Sequence, residues 1–211
     1  MTPAPTTTAP KSAAGVTSFL SGYLTGRFAE IVPGAKVTAV QVNEVLDADP
    51  VHFSAIVRFL DRVGTSGVVV RLIAPSEEYF DRFCDEFECA DPQQRADGTR
   101  FATGATGDPG TKVVVSRAVA HQRADGSVVQ VTAYGYDPGP GSELGEVALT
   151  VDQLVRLATD PNLKHVRHWK QDWRRAAGGT SGTGSADGGE SAAPVTLTVV
   201  GVADFGELLG V

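Results

Sequence analysis

The sequence predicts an α+β domain in which an antiparallel β-sheet of about five to six strands, built from hairpins and a meander, carries helices packed on one face. Three observations favour this class. Separate stretches have apolar residues at helical spacing, Val-rich stretches are divided by turn motifs, and these segments alternate along the chain as helix, strands, helix, strands, helix. A β-sandwich with peripheral helices is the alternative that this order leaves open.

The first part of the chain predicts a helix, a strand and a hairpin. Apolar residues recur at helical spacing over about 15–31 and stop before Pro33, which is typical of a helix end. A Val-rich strand follows at 37–46. The segments 53–60 and 67–73 flank the turn sequence DRVGTSG, and this arrangement predicts a hairpin.

A second, shorter helix is predicted over 75–83. Pro75 suits the first helical position, glutamates follow it in the first turn, and the aromatic residues Tyr79, Phe80 and Phe83 are expected to point inward. This helix leads directly into the segment that holds both cysteines.

A repeated phrase, QRADGT at 94–99 and QRADGS at 122–127, comes just before two β-forming stretches. Asp-Gly at such a place is typical of a tight turn with positive φ, so we interpret both copies as hairpin turns rather than as two ligand loops. Together with the stretches 99–105, 112–121 and 127–136, these turns predict an antiparallel meander.

The last part of the chain predicts one more helix and then a change of composition. Thr150 is expected to cap the helix VDQLVRLATDP, which Pro161 ends. A basic helix and a Gly/Ser-rich stretch follow. The chain therefore divides into a disordered Pro/Thr-rich spacer (1–14), an α+β domain (15–176), a linker (177–193) and a hydrophobic C-terminal strand or interaction peptide (194–211).

Charge and motif content narrow the classes of function. The formal net charge of −7 argues against a nucleic-acid partner, because phosphate recognition needs a basic face. The chain has no nucleophile elbow, zinc-protease, P-loop or dinucleotide motif, so we predict no catalytic residue and no cofactor. These observations favour a non-enzymatic binding or sensory module over an enzyme.

The two cysteines, Cys84 and Cys89, lie close together in an acidic segment. There is no second ligand pair for structural zinc and no C-x-x-C spacing, and the acidic neighbours disfavour a reactive thiolate. A disulfide or two reduced thiols are left, and we favour the disulfide, which persists in an oxidising compartment. The protein is therefore expected to be extracytoplasmic or membrane-anchored, and a cytoplasmic protein is the alternative.

The segment Lys164–Arg175 combines basic charge with histidines and tryptophans. Three side chains at helical spacing could serve as metal ligands: His165, His168 and Asp172. They make a metal-assisted hydrolase the alternative function, although the positive charge of the neighbouring residues opposes metal binding. The same helix suits packing on the domain, an acidic partner or an anionic membrane surface through Trp169 and Trp173.

Our leading hypothesis is that the chain contacts a protein partner at the cell envelope. The contact would use the sheet face or the hydrophobic tail, whose candidate binding residues are Phe205, Leu208 and Leu209. Another hypothesis is a small-molecule carrier whose pocket is lined by aromatic residues: Phe19, Tyr23, Phe28 and Tyr79.

Four features together resemble uncharacterised actinobacterial, Streptomyces-type exported or membrane-anchored proteins. They are the C-x4-C segment, the phrase DGTRF, the strand pair ending in RADGSVVQVTAYGYD and the helix ALTVDQLVRLATDPNL. The resemblance covers residues 16–163, and the basic segment, linker and tail beyond it depart from the pattern. It implies an extracytoplasmic α+β domain on a Pro/Thr tether, with Cys84 bonded to Cys89, and it implies no activity.

Overall fold

The computed structural model describes residues 13–45, 50–90, 92–107, 114–137 and 146–163. Within these ranges the chain forms three helices and eight strands. In chain order they are α1 (Ala13–Ile31), β1 (Lys36–Val45), β2 (His52–Leu60), β3 (Thr65–Ile73), α2 (Glu77–Glu86), β4 (Glu88–Cys89), β5 (Gln93–Gln94), β6 (Arg100–Gly107), β7 (Val114–Gln122), β8 (Val128–Tyr134) and α3 (Val151–Ala158). None of the helices in these ranges is both long and apolar enough to span a bilayer.

The strands form one antiparallel sheet in the order β1-β2-β3-β8-β7-β6-β4, and β5 also pairs with β6. Two meanders, β1–β3 and β6–β8, meet where β3 pairs with β8, from Val68 opposite Ala133 to Ile73 opposite Val128. The predicted α+β class and antiparallel sheet are confirmed. The strand count is higher than predicted partly because β4 and β5 have two residues each, too few to show a hydrophobic period.

One face of the sheet, here called the core face, is covered by α1 and α3. The buried side of α1 is lined by large apolar residues at helical spacing: Leu20, Leu24, Phe28 and Ile31. They meet alternate residues of the strands, and the rings of Phe28 and Phe59 lie 4.9 Å apart between centroids. This face holds the main hydrophobic core of the described chain.

The opposite face, here called the α2 face, carries α2. Because strand side chains alternate, Val119 of β7 belongs to the core face while its neighbours Ala118 and Ala120 face the other way. Phe80 and Phe83 of α2 pack on these small residues in a second, smaller cluster. Two helices thus share one face as expected, whereas α2 occupies the other.

Side-chain caps fix the starts of α2 and α3. The backbone N–H of Tyr79 donates to Ser76, which is the N-cap of α2, so Pro75 precedes the cap instead of standing at the first helical position. Thr150 caps α3 as predicted, and Gln153 returns the bond to complete a capping box. The hydroxyl of Ser76 satisfies a free helical N–H, which proline cannot do.

The two repeated phrases form two turns of the same kind. The backbone N–H of Arg95 donates to Thr99 O, and that of Arg123 donates to Ser127 O, each at 2.8 Å. The glycines at the turns, Gly98 and Gly126, have φ of 79° and 81°. The interpretation as hairpin turns is confirmed, because each turn joins two paired strands at the left-handed conformation that glycine tolerates.

Candidate functional site

Cys84 and Cys89 form a disulfide, as predicted. Cys84 lies in the last turn of α2 and Cys89 in β4, with their Cα atoms 5.3 Å apart. The described residues contain no free cysteine. The bond therefore ties the C-terminal end of α2 to the edge of the sheet.

Most of the other candidate residues lie outside the part of the chain that the structure describes. These are the proposed metal ligands His165, His168 and Asp172, the tryptophans Trp169 and Trp173, the whole segment Lys164–Arg175, and the tail residues Phe205, Leu208 and Leu209. Within the described ranges, no group of three or more His, Cys, Asp or Glu side chains is arranged to hold a metal ion.

The four aromatic residues expected to line a carrier pocket do not surround one space. Phe28 is fully buried in the main core, and Phe19 and Tyr23 pack at its margin. Tyr79 packs in the smaller cluster on the α2 face. The sheet therefore separates Tyr79 from the other three residues.

A polar network on the core-face side joins α1 to the chain that follows α3. The Tyr23 hydroxyl lies 2.8 and 2.9 Å from the two carboxylate oxygens of Asp160, Arg27 Nε donates to Oδ2 at 2.8 Å, and the Asn162 backbone N–H donates to Oδ1 at 2.9 Å. The Asp160 side chain has no exposed surface. These partners satisfy the buried carboxylate, so the network is a structural tie.

Two other polar groups with catalytic potential also serve the fold. His121 Nδ1 donates to the Ala158 carbonyl at 3.1 Å, and burial lowers the pKa of His121. The hydroxyls of Ser116 and Thr106 hydrogen-bond to each other at 2.6 Å on the α2 face. Ser116 and His121 lie on opposite faces of β7, so they form no nucleophile–base pair.

The α2 face holds a cluster with the character of a binding site, here called the arginine–tyrosine cluster (Arg71, Tyr79, Gln130 and Tyr134). Arg71 stands in the middle of β3, opposite Gln130 of β8. The Tyr79 hydroxyl donates to Gln130 Oε1 at 2.6 Å and accepts a hydrogen bond from Arg71. Gln130 is buried and forms the floor, whereas Tyr134 is 38% exposed at the rim.

Electrostatics around the cluster are set by burial and by Arg71. Burial raises the pKa of Tyr79, and the Arg71 guanidinium opposes that rise. The pKa of Tyr134 is raised by the same cause, again with Arg71 opposing and Glu86 adding to the rise. Both hydroxyls are therefore protonated at neutral pH and can donate hydrogen bonds.

The wall of the cluster is α2, and several contacts hold it in place. Arg100 of β6 stacks on Phe80, with 4.5 Å from Cζ to the ring centroid, and its guanidinium contacts Asp81 at 2.6 Å. The disulfide anchors the other end of the helix. Tyr79 is thereby held within the cluster, and Glu86, the last residue of α2, is held beside it.

Close packing under the disulfide depends on Gly104 of β6. A Cβ atom at this position would lie 2.6 Å from Phe87 Cβ and 3.3 Å from Cys89 Sγ. Such an approach to an atom next to the backbone leaves no room for a side chain. Gly104 thus lets the segment after α2 lie flat on the sheet.

No family model, curated protein or solved structure matches this chain. The resemblance to actinobacterial exported proteins therefore stays a prediction, and the site is interpreted from its own geometry.

The arginine–tyrosine cluster was not predicted from the sequence. A signal for it is present, because Arg71 is the one charged residue in the otherwise apolar stretch GVVVRLI. A charged residue within a strand that is buried on both faces needs a partner or a function. Its proximity to Tyr79 and Tyr134 depends on α2 and β8 and cannot be inferred from local pattern.

Proposed function

We propose that the chain is a non-enzymatic binding module of the cell envelope that contacts a protein partner through the α2 face. The observation that carries this proposal is that the described helices cover only part of that face. Among the described helices, α1 packs on β1 and β2, but it does so on the core face. The helix on the other face, α2, packs on β4, β6 and β7. The α2-face side chains of β1 and β2, here called the open half, are Ala39, Gln41, Asn43, Ser54, Ile56 and Arg58.

The composition of this region supports recognition of a protein. Ile56 is half-buried among polar neighbours, and three large apolar side chains are exposed at the same end of the sheet: Leu60 (45%), Val63 (65%) and Tyr134 (38%). Apolar residues surrounded by polar ones are typical of protein interfaces. The buried polar side chains described above, in contrast, already have hydrogen-bond partners that hold the fold, which favours binding over catalysis.

Site-specific photo-crosslinking in cells that produce the protein tests the proposal. A photoreactive residue at Gln41, exposed on the open half, is expected to give one adduct of discrete mass, and the added change Ile56→Asp is expected to abolish it. The matched control is Ala29, which is exposed on α1. Equal adducts from both positions, or no adduct from position 41, would contradict the proposal.

The same experiment separates the sheet from the hydrophobic tail. Deletion of 177–211 removes Phe205, Leu208 and Leu209 and leaves the open half intact. We expect the adduct from position 41 to persist after this deletion. Its loss would assign the contact to the tail instead.

The disulfide supports placement outside the cytoplasm, because such bonds persist in oxidising compartments. When cells are quenched in acid and treated with a thiol alkylator, Cys84 and Cys89 are expected to react only after reduction. Alkylation of both residues without reductant would place the protein in a reducing compartment.

A further inference from the structure

Arg71 combines partial burial on a central strand with the lack of an ion pair to any described carboxylate. Four described arginines form ion pairs with carboxylates, namely Arg27, Arg58, Arg82 and Arg100. Arg71 is half-buried on a central strand and forms no ion pair within the described ranges. Partial burial of an unpaired charge is unfavourable, which points to a ligand that supplies the negative charge.

The groups around Arg71 fit the rest of such a ligand. The Tyr79 hydroxyl contacts the guanidinium and in turn donates to the buried Gln130, and Tyr134 stands at the exposed rim. The register places Ser54 of the open half directly opposite Arg71. Arg71 therefore lies at the boundary between the surface covered by α2 and the open half, with hydroxyl groups and aromatic rings beside it.

The charge of the surroundings favours a carboxylate over a phosphate. Glu86 of α2 is close enough to raise the pKa of Tyr134, and the chain carries a net charge of −7. This negative charge would repel a doubly charged phosphate more strongly than a singly charged carboxylate. One guanidinium matches one carboxylate in charge and geometry. Arg82 also opposes the rise in the pKa of Tyr79, but it is exposed and pairs with Glu78 one turn away on α2.

We infer that the arginine–tyrosine cluster binds an aspartate or glutamate side chain of an extended acidic peptide segment in the partner. The inference rests on the proposed function, since it names what the partner presents to the α2 face. Arg71 forms the charge-assisted hydrogen bonds, Tyr79 holds the guanidinium in position through its hydroxyl, and apolar residues beside the acid contact Tyr134 and the open half.

Titration of the full isotope-labelled chain by NMR tests the inference. The probe is acetyl-Gly-Phe-Asp-Phe-Gly-amide, and its matched control has Asn in place of Asp. The Asp peptide is expected to shift the Arg71 Nε–H signal and the backbone signals of Gln130 and Tyr134, and to bind about tenfold more tightly than the Asn peptide. Inorganic phosphate is titrated in parallel and is expected to bind more weakly.

Variants separate recognition from folding. Arg71→Gln is expected to remove the preference for Asp, Arg71→Lys to retain part of it, and Glu86→Gln to strengthen binding of the Asp peptide about twofold to threefold. Arg117→Gln, on the opposite face of the same sheet, is the matched control and should change nothing. If Arg71→Gln does not fold, the inference is still tested by the effect of Glu86→Gln on binding of the Asp peptide and by the difference in affinity between the Asp and Asn peptides.

Equal binding of the Asp and Asn peptides, full binding by Arg71→Gln, or tighter binding of phosphate would overturn the inference. Failure here together with a specific crosslink from position 41 would leave the proposed function standing and reject only the carboxylate. Absence of the crosslink would reject the proposed function itself.

Discussion

The two faces of the sheet are built on different principles. The core face is filled by large apolar side chains from α1, α3 and alternate strand residues, and its buried polar tie is centred on Asp160. The α2 face has a smaller apolar cluster, in which Phe80 and Phe83 pack on small strand residues, together with the disulfide and the arginine–tyrosine cluster. Stability is thus concentrated on one face, which leaves the other free to carry exposed polar and aromatic groups.

This difference matters for how a substitution acts. A change on the core face alters packing that holds both meanders, so we expect the whole domain to lose stability. A change on the α2 face alters a smaller cluster at one end of the sheet, so we expect a local effect on α2 and β4. The substitutions below test this distinction.

The largest effect is expected for Asp160→Ala, which breaks the core-face network. It leaves the Arg27 guanidinium, the Tyr23 hydroxyl and a backbone N–H without their acceptor, so the free energy of unfolding should fall by about 3 kcal/mol. Chemical denaturation measures this loss, and hydrogen exchange should rise throughout the sheet.

The control for that substitution is Asp137→Ala, which removes an ion pair with Arg58 whose side chains are 32% and 37% exposed. An exposed pair contributes less than about 1 kcal/mol. Equal losses of unfolding free energy for Asp160→Ala and Asp137→Ala would show that the buried Asp160 network stabilises the fold no more than an exposed ion pair does.

An intermediate effect is expected for Gly104→Ala on the α2 face. The new methyl group would meet Phe87, so the segment after α2 must move, at a loss of about 2 kcal/mol. Hydrogen exchange should increase in α2 and β4 and stay unchanged in α1. Gly22→Ala is the control, because nothing lies within 4 Å of a Cβ there and alanine should stabilise α1 by about 0.5–1 kcal/mol.

The smallest effect is a loss of stability at alkaline pH. Burial raises the pKa of Tyr23 to about 12, and the Asp160 carboxylate adds to the rise while the hydrogen bond from Asn162 opposes it. Since the folded state holds the proton more tightly than the unfolded state, this stability is complete below about pH 10 and is lost as the pH rises towards about 12.

Tyr23→Phe should therefore lessen the fall in unfolding free energy between about pH 10 and 12, by about 1 kcal/mol after allowance for solvent screening. The same measurement on Tyr136→Phe provides a comparison. Burial and Asp61 also raise the pKa of Tyr136 to about 12, so this variant should likewise lessen the fall in unfolding free energy at alkaline pH. Identical pH profiles for the wild type and Tyr23→Phe would exclude a contribution from this hydroxyl.

Local features of the fold could be predicted from the sequence. The helix periods, the hairpin turns, the Thr150 cap and the Cys84–Cys89 bond each depend on residues close together in the chain. The helix α2 begins two residues later than the sequence predicts, because Pro75 and Ser76 both suit a helix start and only the hydroxyl of Ser76 caps it.

Features that depend on distant residues could not be predicted. The Asp160 network needs α1 to meet the segment after α3, and in the sequence Asp160 is only the residue before a helix-ending proline. The pairing of β3 with β8 joins the two meanders through residues far apart in the chain. Arg71 acquires its neighbours only through that pairing and the docking of α2.

The junction between β3 and β8 has a consequence for synthesis of the chain. Until β8 emerges from the ribosome, β3 is the outer strand of an incomplete sheet, and its Val-rich backbone offers unsatisfied donors and acceptors to any other strand. A product truncated after α2 would keep β3 as an unpaired edge strand. We expect it to aggregate, whereas in the complete chain β8 pairs with β3 and covers that edge.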